Sequence, residues 1–108
     1  MHIVIFITAK DKDEARMIAT KLVEQKLAAC VNIIDGVESV FWWEGKVGQA
    51  QEALLIAKSK KSLFKEILKT VKKVHSYTVP EVIALPIVKG SSDYLNWIND
   101  SISKRIKK

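Results

Sequence analysis

Residues 37–46 have the sequence VESVFWWEGK, which ends a strand-like run on a turn signal. The polar segment Glu44-Gly45-Lys46 is typical of the connection between two hairpin strands. The first strand extends back through Ala28 to Ile34, and Asp35-Gly36 indicates a bend or bulge within it. Glu52 to Ala57 is predicted to form the returning strand. These segments together predict a long β-hairpin.

The residues before the hairpin predict one strand and one helix. Ile3 to Thr8 is a short apolar run with β-branched residues, typical of a buried strand. Asp11 can cap the first N–H groups of a helix, and Glu14 completes a capping-box-like pattern. Spacing at i, i+3, i+4, i+7 and i+8 predicts a buried helical face. That face consists of Ala15, Ile18, Ala19, Leu22 and Val23.

The residues after the hairpin predict a helix, a strand and a last helix. Ser62 can cap the second helix, whose inner face would contain Phe64, Ile67, Leu68 and Val71. Glu81 to Val88 is predicted to form the fourth strand. Pro86 cannot donate a ladder hydrogen bond. This predicts either that the strand lies at an edge of the sheet or that Pro86 lies at the end of the strand. Ser91 or Ser92 can cap a helix that carries Leu95, Ile98 and Ile102.

The order β-α-β-β-α-β-α predicts an α+β fold. Without its last helix it is the ferredoxin-like β-α-β-β-α-β arrangement with an antiparallel sheet and a long β2-β3 hairpin. A length of 108 residues predicts a single domain over residues 1–108. The apolar N-terminal run is too short for a membrane span and lacks the features of a signal sequence. The single cysteine cannot form an intrachain disulfide, and we expect a cytoplasmic protein.

The formal net charge of +6 comes mostly from lysines between positions 58 and 73 and from the tail, residues 104–108. Lysines on solvated helical faces explain this charge better than a nucleic-acid groove does. Nucleic-acid binding is therefore the weakest of the functional interpretations, because it depends on net charge alone.

The aromatic residues Phe41, Trp42 and Trp43 lie near the predicted hairpin tip. Neighbouring strand residues point to opposite faces, so one tryptophan must face away from the other. A small sheet with helices on one face leaves part of this surface uncovered. A partner subunit would cover it, or the last helix, Ser92 to Lys104, would do so within the chain. The pattern favours a subunit interface.

Residues 75–81 have the sequence HSYTVPE, which places several polar groups in one loop. Tyr77 and Glu81 could form an acid–base pair, or serve only to shape the loop. His75 and Cys30 could form a metal pair, since both side chains suit copper or zinc. Alternatively, His75 caps a helix C-terminus and Cys30 is a small buried hydrophobe. No nucleophile–base motif or phosphate loop is present, so we expect no enzymatic activity.

Four segments together resemble the CutA family of divalent-cation tolerance proteins. They are Lys26 to Asn32, Trp42 to Lys46, His75 to Glu81 and Asp93 to Trp97, spread in order over nearly the whole chain. The resemblance implies a ferredoxin-like subunit that forms a homotrimer through its long hairpins. Phe41, Trp42 and Trp43 would then lie at the trimer interface.

The resemblance also implies a function. Copper(II) or another divalent metal would bind in a cleft between subunits, and no organic cofactor is expected. His75 and Cys30 would be ligands, and Tyr77 and Glu81 would shape the wall of the cleft. The architecture is also similar to that of trimeric PII signalling proteins. The alternative is therefore a signalling or scaffold module that binds a small anion or a protein partner.

The sequence departs from the family pattern at three positions. Ser76 replaces the proline of a His-Pro-Tyr motif, which predicts a less rigid loop. Ile7 stands where some bacterial members have a cysteine, and Val74 stands where those members have the first histidine of a doublet. If the cysteine and the two histidines of those members bind copper, His75 is the only one of these three ligands that this chain retains.

Overall fold

The computed structural model of the protein describes residues 1–103, so the basic tail at 104–108 and the predicted helix end at Lys104 lie outside it. None of the helices in this range is long and apolar enough to cross a membrane. A single 3-10 turn, Lys61–Leu63, precedes α2. The elements are β1 (His2–Ala9), α1 (Lys12–Glu24), β2 (Cys30–Trp43), β3 (Lys46–Lys60), α2 (Phe64–Val74), β4 (Val82–Pro86) and α3 (Ser92–Ser103).

The four strands form one antiparallel sheet in the order β2-β3-β1-β4. This confirms the predicted ferredoxin-like arrangement with its additional C-terminal helix. The short β4 lies at one edge and ends at Pro86, where a missing N–H removes no ladder bond. The long β2 lies at the other edge. The returning strand starts at Lys46 rather than at Glu52, so the hairpin is longer than predicted.

The two faces of the sheet differ in their cover. Alternate residues of β1, namely Ile3, Ile5 and Ile7, are buried in the core on the face that α1 and α2 cover. The opposite face carries a row of apolar side chains that we call the open sheet face. It consists of Phe6, Ile34, Ile56, Ile83 and Leu85. Of these, Ile34, Ile83 and Leu85 are about half exposed.

Helix α3 packs against β3 and leaves Ile34, Ile83 and Leu85 of the open sheet face about half exposed. Its Ile98 and Ile102 are buried, and Asn99 Oδ1 lies 2.9 Å from Nε2 of His2 at the start of β1. The aromatic hairpin residues remain uncovered by α3, since Trp42 is 75% exposed and Trp43 is 54% exposed. Cover from within the chain, the alternative to a subunit interface, is therefore absent from the described residues.

The two ends of α1 show how local sequence sets its length. At the N-terminus, Asp11 Oδ1 accepts the Glu14 N–H at 2.8 Å, which confirms the predicted cap. At the C-terminus, Lys26 adopts a left-handed conformation with φ of 56°. The Leu27 N–H then bonds the Leu22 carbonyl at 2.9 Å, and the Lys26 N–H bonds the Val23 carbonyl at 3.0 Å. This pair of bonds is a Schellman motif with lysine at the position that favours glycine.

Two local predictions are wrong. Ser62 does not cap α2, because it lies within the 3-10 turn that precedes this helix. Val23 does not belong to the buried face of α1, since its side chain is 42% exposed. The helix ends one residue later, so Val23 lies in its last turn.

The hairpin contains both of the predicted irregularities. The register of β2 against β3 shifts between Ile34 and Val37, where Gly36 has a φ of 74°. The turn places Glu44 and Gly45 at φ values of 52° and 77°. Beyond this register shift, the Phe41 ring packs against Gly48. A side chain at position 48 would clash with the ring, since its Cβ would lie only 2.8 Å from Cε2 of Phe41.

Candidate functional site

His75 lies immediately after α2, and its imidazole is completely buried. Nε2 is 2.7 Å from the carbonyl oxygen of Thr8, and Nδ1 is 3.0 Å from the backbone N of Tyr77. A carbonyl only accepts and an N–H only donates, so Nε2 carries the proton and Nδ1 accepts. Both nitrogens of the imidazole are hydrogen-bonded in this arrangement.

Glu14 is the buried carboxylate beside this imidazole. Its Oε1 accepts the Lys10 N–H at 3.0 Å and the Ser76 hydroxyl at 3.0 Å, while Oε2 accepts the Ser76 N–H at 2.9 Å. Burial would raise the pKa of Glu14, but the hydrogen bonds outweigh burial and lower the pKa below its ordinary value of 4.5. Its Oε1 lies 3.9 Å from Nδ1 of His75.

Ser76 therefore ties the loop to α1. Its N–H and its hydroxyl both donate to Glu14. A proline at this position has no N–H to donate, so the family residue could not make the first of these bonds. In this chain two hydrogen bonds from Ser76 hold the loop where the family pattern has proline, and a less rigid loop stays a prediction.

Tyr77 packs against His75, with ring centroids 4.8 Å apart, and its hydroxyl donates to Glu52 Oε2 at 2.7 Å. Burial, the hydrogen bond to Glu52 and the nearby charges of Glu52, Glu14 and Asp11 raise the pKa of Tyr77 to about 12. The phenol is therefore a hydrogen-bond donor at neutral pH. Its acidic partner is Glu52, whereas Glu81 is exposed just before β4.

Sequence reasoning missed Glu52 because its partner is 25 residues away in the chain. The available signal was a charged residue directly beside the apolar run Ala53 to Ala57 in a strand. A buried carboxylate is rare without a donor or cation, so such a residue indicates a partner elsewhere in the fold.

Cys30 occupies a different part of the sheet. It opens β2, is partly buried and lies opposite Lys58, whose ammonium donates to Asn32 Oδ1. Burial and the neighbouring Cys30 sulfur raise the pKa of the Tyr94 phenol on α3. Tyr94 also contacts Trp97, with ring centroids 5.5 Å apart.

One subunit does not bring His75 and Cys30 together. Cys30 lies in the same row as Lys58 and Val4, whereas His75 bonds Thr8, four residues further along β1. Four residues of a strand span about 13 Å. Within residues 1–103, no group of three or more His, Cys, Asp and Glu side chains is arranged to hold a metal.

The two positions at which this chain departs from a cysteine and a histidine of some bacterial members are apolar and belong to the core. Ile7 is fully buried, and Val74 is partly buried against the same cluster. The predicted interface residues Phe41, Trp42 and Trp43 are exposed at the hairpin tip, far from the loop at 75–77 along the sheet. The site around His75 is therefore a hydrogen-bonded network of Glu14, His75, Ser76, Tyr77 and Glu52.

A sequence profile described as "CutA1 divalent ion tolerance protein" matches residues 3–101. The chain belongs to the CutA1 family. It is 45% identical to the divalent-cation tolerance protein CutA of Thermus thermophilus over 101 residues, which are 94% of this chain and 98% of that protein. This agreement confirms the resemblance that the four sequence segments indicated.

The structural comparison gives the same result. The solved structure of the periplasmic divalent cation tolerance protein CutA from Archaeoglobus fulgidus has a TM-score of 0.92 and 46% identity, and the match covers 94% of this chain and 99% of that one. The chloroplastic CutA 1 of Oryza sativa is 48% identical over 99 residues, which are 92% of this CutA1 chain and 56% of the rice protein. This chain spans about half the length of the plant relatives.

Proposed function

We propose that this CutA1 chain acts as a homotrimer that binds copper(II) or a similar divalent cation in a cleft between subunits, and that it catalyses no reaction. The observation that carries the proposal is the placement of His75 and Cys30. His75 lies in the loop after α2 and bonds Thr8, whereas Cys30 opens β2 about 13 Å further along the sheet. A site with both ligands therefore requires residues from two subunits. Relatives such as those of Thermus thermophilus and Archaeoglobus fulgidus are named divalent-cation tolerance proteins, which supports the class of ligand.

The open sheet face supports an assembly of subunits. Ile34 at one edge of this face and Ile83 and Leu85 at the other are about half exposed, and fully burying such a side chain stabilises by roughly 1.5–3 kcal/mol. The 14-residue edge strand β2 adds an unpaired backbone edge, and proteins commonly cover edges of this length. A second copy of the chain would cover the apolar face, the edge and the aromatic hairpin tip together.

His75 supplies the nitrogen ligand through Nδ1, because Nε2 donates a hydrogen bond to the Thr8 carbonyl. Binding at Nδ1 replaces the hydrogen bond from the Tyr77 N–H, so the loop must turn locally when the metal enters. Tyr77 and Glu81 form the wall of the cleft, and Cys30 comes from the neighbouring subunit. Imidazole and thiolate ligands both suit copper, which lies at the top of the divalent affinity series.

Isothermal titration with copper(II) tests the ligand assignment. We expect His75→Gln to weaken binding by about tenfold or more, since loss of a ligand removes a coordinate bond. His2→Gln removes the other histidine of the chain and is the matched control, because it should leave the affinity unchanged. Equal affinities of wild type and His75→Gln would exclude His75 as a ligand. Melting curves of all three proteins separate loss of a ligand from loss of folding.

Light scattering tests the assembly independently of metal. A homotrimer has three times the 12.2 kDa mass of one chain. A mass near that of a single chain would exclude the inter-subunit cleft. A rise in melting temperature with small anionic metabolites but with no divalent metal would instead favour the signalling or scaffold alternative.

A further inference from the structure

The excess positive charge of the protein is concentrated in residues 58–75 and in the tail, residues 104–108. Residues 58–75 contain seven of the 18 basic residues and one of the 12 acidic residues, so their formal charge of +6 equals that of the whole chain. The rest of the sequence has equal numbers of acidic and basic residues. A charge localised on one helix is also typical of an electrostatic binding surface.

Five of these lysines form a continuous exposed surface that we call the α2 lysine stripe. It consists of Lys61, Lys65, Lys69, Lys72 and Lys73. At about 100° per residue, its four members within α2 fall in an arc of about 100° on the helix. That arc faces away from the fully buried Ile67 and Val71. All five lysines are exposed to solvent.

We propose that the α2 lysine stripe docks on the phosphate backbone of duplex nucleic acid, without recognition of bases. Lysine supplies a flexible point charge, which suits a row of phosphates. Helix α2 contains no arginine, asparagine or glutamine, the residues that most often pair with base edges. Binding of this kind is independent of sequence, and its free energy comes from the release of counterions.

The other classes of polyanion fit the stripe less well. Lysine is depleted in protein–protein interfaces, and their hot spots are tryptophan, tyrosine and arginine, which the stripe lacks. An amphipathic helix on a membrane inserts its apolar face, but in α2 this face is already buried as Ile67 and Val71. A nucleic-acid backbone requires neither an aromatic anchor nor an apolar face.

The stripe stays accessible in the assembly proposed above. Helix α2 covers one face of the sheet, and the open sheet face is on the other. Docking of subunits through the open sheet face therefore leaves the lysines in solvent. The inference goes beyond metal binding and does not depend on it.

Fluorescence anisotropy with a labelled random-sequence DNA duplex of about 20 base pairs tests the inference. Four phosphate contacts predict that the logarithm of the association constant falls against the logarithm of salt concentration with a slope of about −3.6. The stripe variant should bind at least about tenfold more weakly near 50 mM salt and show a slope near zero. Its substitutions are Lys65→Gln, Lys69→Gln, Lys72→Gln and Lys73→Gln.

A charge-matched variant is the control, since it changes the net charge by the same amount elsewhere on the protein. Its substitutions are Lys10→Gln, Lys12→Gln, Lys21→Gln and Lys46→Gln. We expect its affinity to stay within about threefold of wild type, because these lysines lie outside the stripe. Equal losses in the two variants would show that net charge alone attracts the duplex, which would overturn the assignment. Absence of wild-type binding at low salt would overturn it as well.

Two further probes distinguish the class of partner. Vesicles with anionic phosphatidylglycerol and the acidic polymer polyglutamate are titrated under the same conditions. Stripe-dependent binding to either probe without binding to the duplex would replace the nucleic-acid assignment by that class. Stripe-dependent binding to the duplex that exceeds binding to both probes supports the proposal.

Discussion

Glu14 and Ser76 are joined by two hydrogen bonds although they lie 62 residues apart in the sequence. The Ser76 N–H donates to Oε2 at 2.9 Å, and its hydroxyl donates to Oε1 at 3.0 Å. This pair connects the start of α1 with the loop after α2. It also holds the loop in the position from which His75 reaches the Thr8 carbonyl.

Substitution Glu14→Gln should lower the free energy of unfolding by about 1–3 kcal/mol, because a buried charged acceptor of three hydrogen bonds is replaced by an amide. Urea denaturation measures this change. Glu24→Gln makes the same substitution at an exposed position of α1 and should change stability by less than about 0.5 kcal/mol. Similar losses in both variants would contradict a special role for the Glu14 pair.

The pKa of Glu14 predicts how this contribution depends on pH. The folded state lowers the pKa below the ordinary value of 4.5, so the folded state favours the ionised carboxylate. The stabilisation is therefore complete above 4.5 and is lost as the pH falls through the lower, folded-state pKa. The difference in unfolding free energy between wild type and Glu14→Gln should narrow in acid. A difference that is constant down to about pH 2 would contradict this linkage.

Substitution Tyr77→Phe leaves the Glu52 carboxylate buried without its donor. We expect the free energy of unfolding to fall by about 1–3 kcal/mol, as for other unsatisfied buried groups. Tyr94→Phe is the control, because that phenol is more exposed. The raised pKa of Tyr77, about 12, adds a spectroscopic test. In an absorbance titration with alkali, the transition at the highest pH should be absent from Tyr77→Phe and present in Tyr94→Phe.

Substitution Lys26→Gly should stabilise the protein. Lys26 adopts a φ of 56° at the end of α1, and the left-handed region costs a residue with a Cβ roughly 1 kcal/mol. Glycine removes this strain and keeps both backbone bonds of the Schellman motif. Lys21→Gly, inside the same helix, should instead destabilise by about 1 kcal/mol. Thermal melts compare the two, and a fall in melting temperature for Lys26→Gly would refute the strain argument.

Substitution Leu85→Lys should separate the subunits of the proposed homotrimer without unfolding the chain. Leu85 is 51% exposed on the open sheet face, so a lysine is tolerated in one chain but brings an unpaired charge into an apolar interface. Light scattering should report a lower mass, with unchanged far-UV circular dichroism. Val23→Lys, at a 42% exposed position of α1, should leave the mass unchanged. An unaltered mass for Leu85→Lys would place the interface elsewhere.

The sequence correctly predicted the structural features that depend on a single residue and its neighbours. Asp11 caps α1, Gly36 marks the bulge and Pro86 ends the edge strand, and each follows from the dihedral or hydrogen-bonding limits of one residue. The prediction failed at Ser62, where a 3-10 turn took the place of a serine cap. Both structures satisfy the first N–H groups of a helix, so the sequence alone could not distinguish them.

The sequence determined which residues form strands and helices, their order and the family, because periodicity, turn chemistry and four ordered segments are properties of neighbouring residues. The tertiary structure decided the partners of the polar groups. Tyr77 donates a hydrogen bond to Glu52 rather than to Glu81, which is closer in the sequence. The two ring nitrogens of His75 are hydrogen-bonded to the Thr8 carbonyl and to the Tyr77 N–H. Such pairings depend on which buried donors and acceptors the packed sheet brings within about 3 Å, a condition that spacing along the chain does not encode.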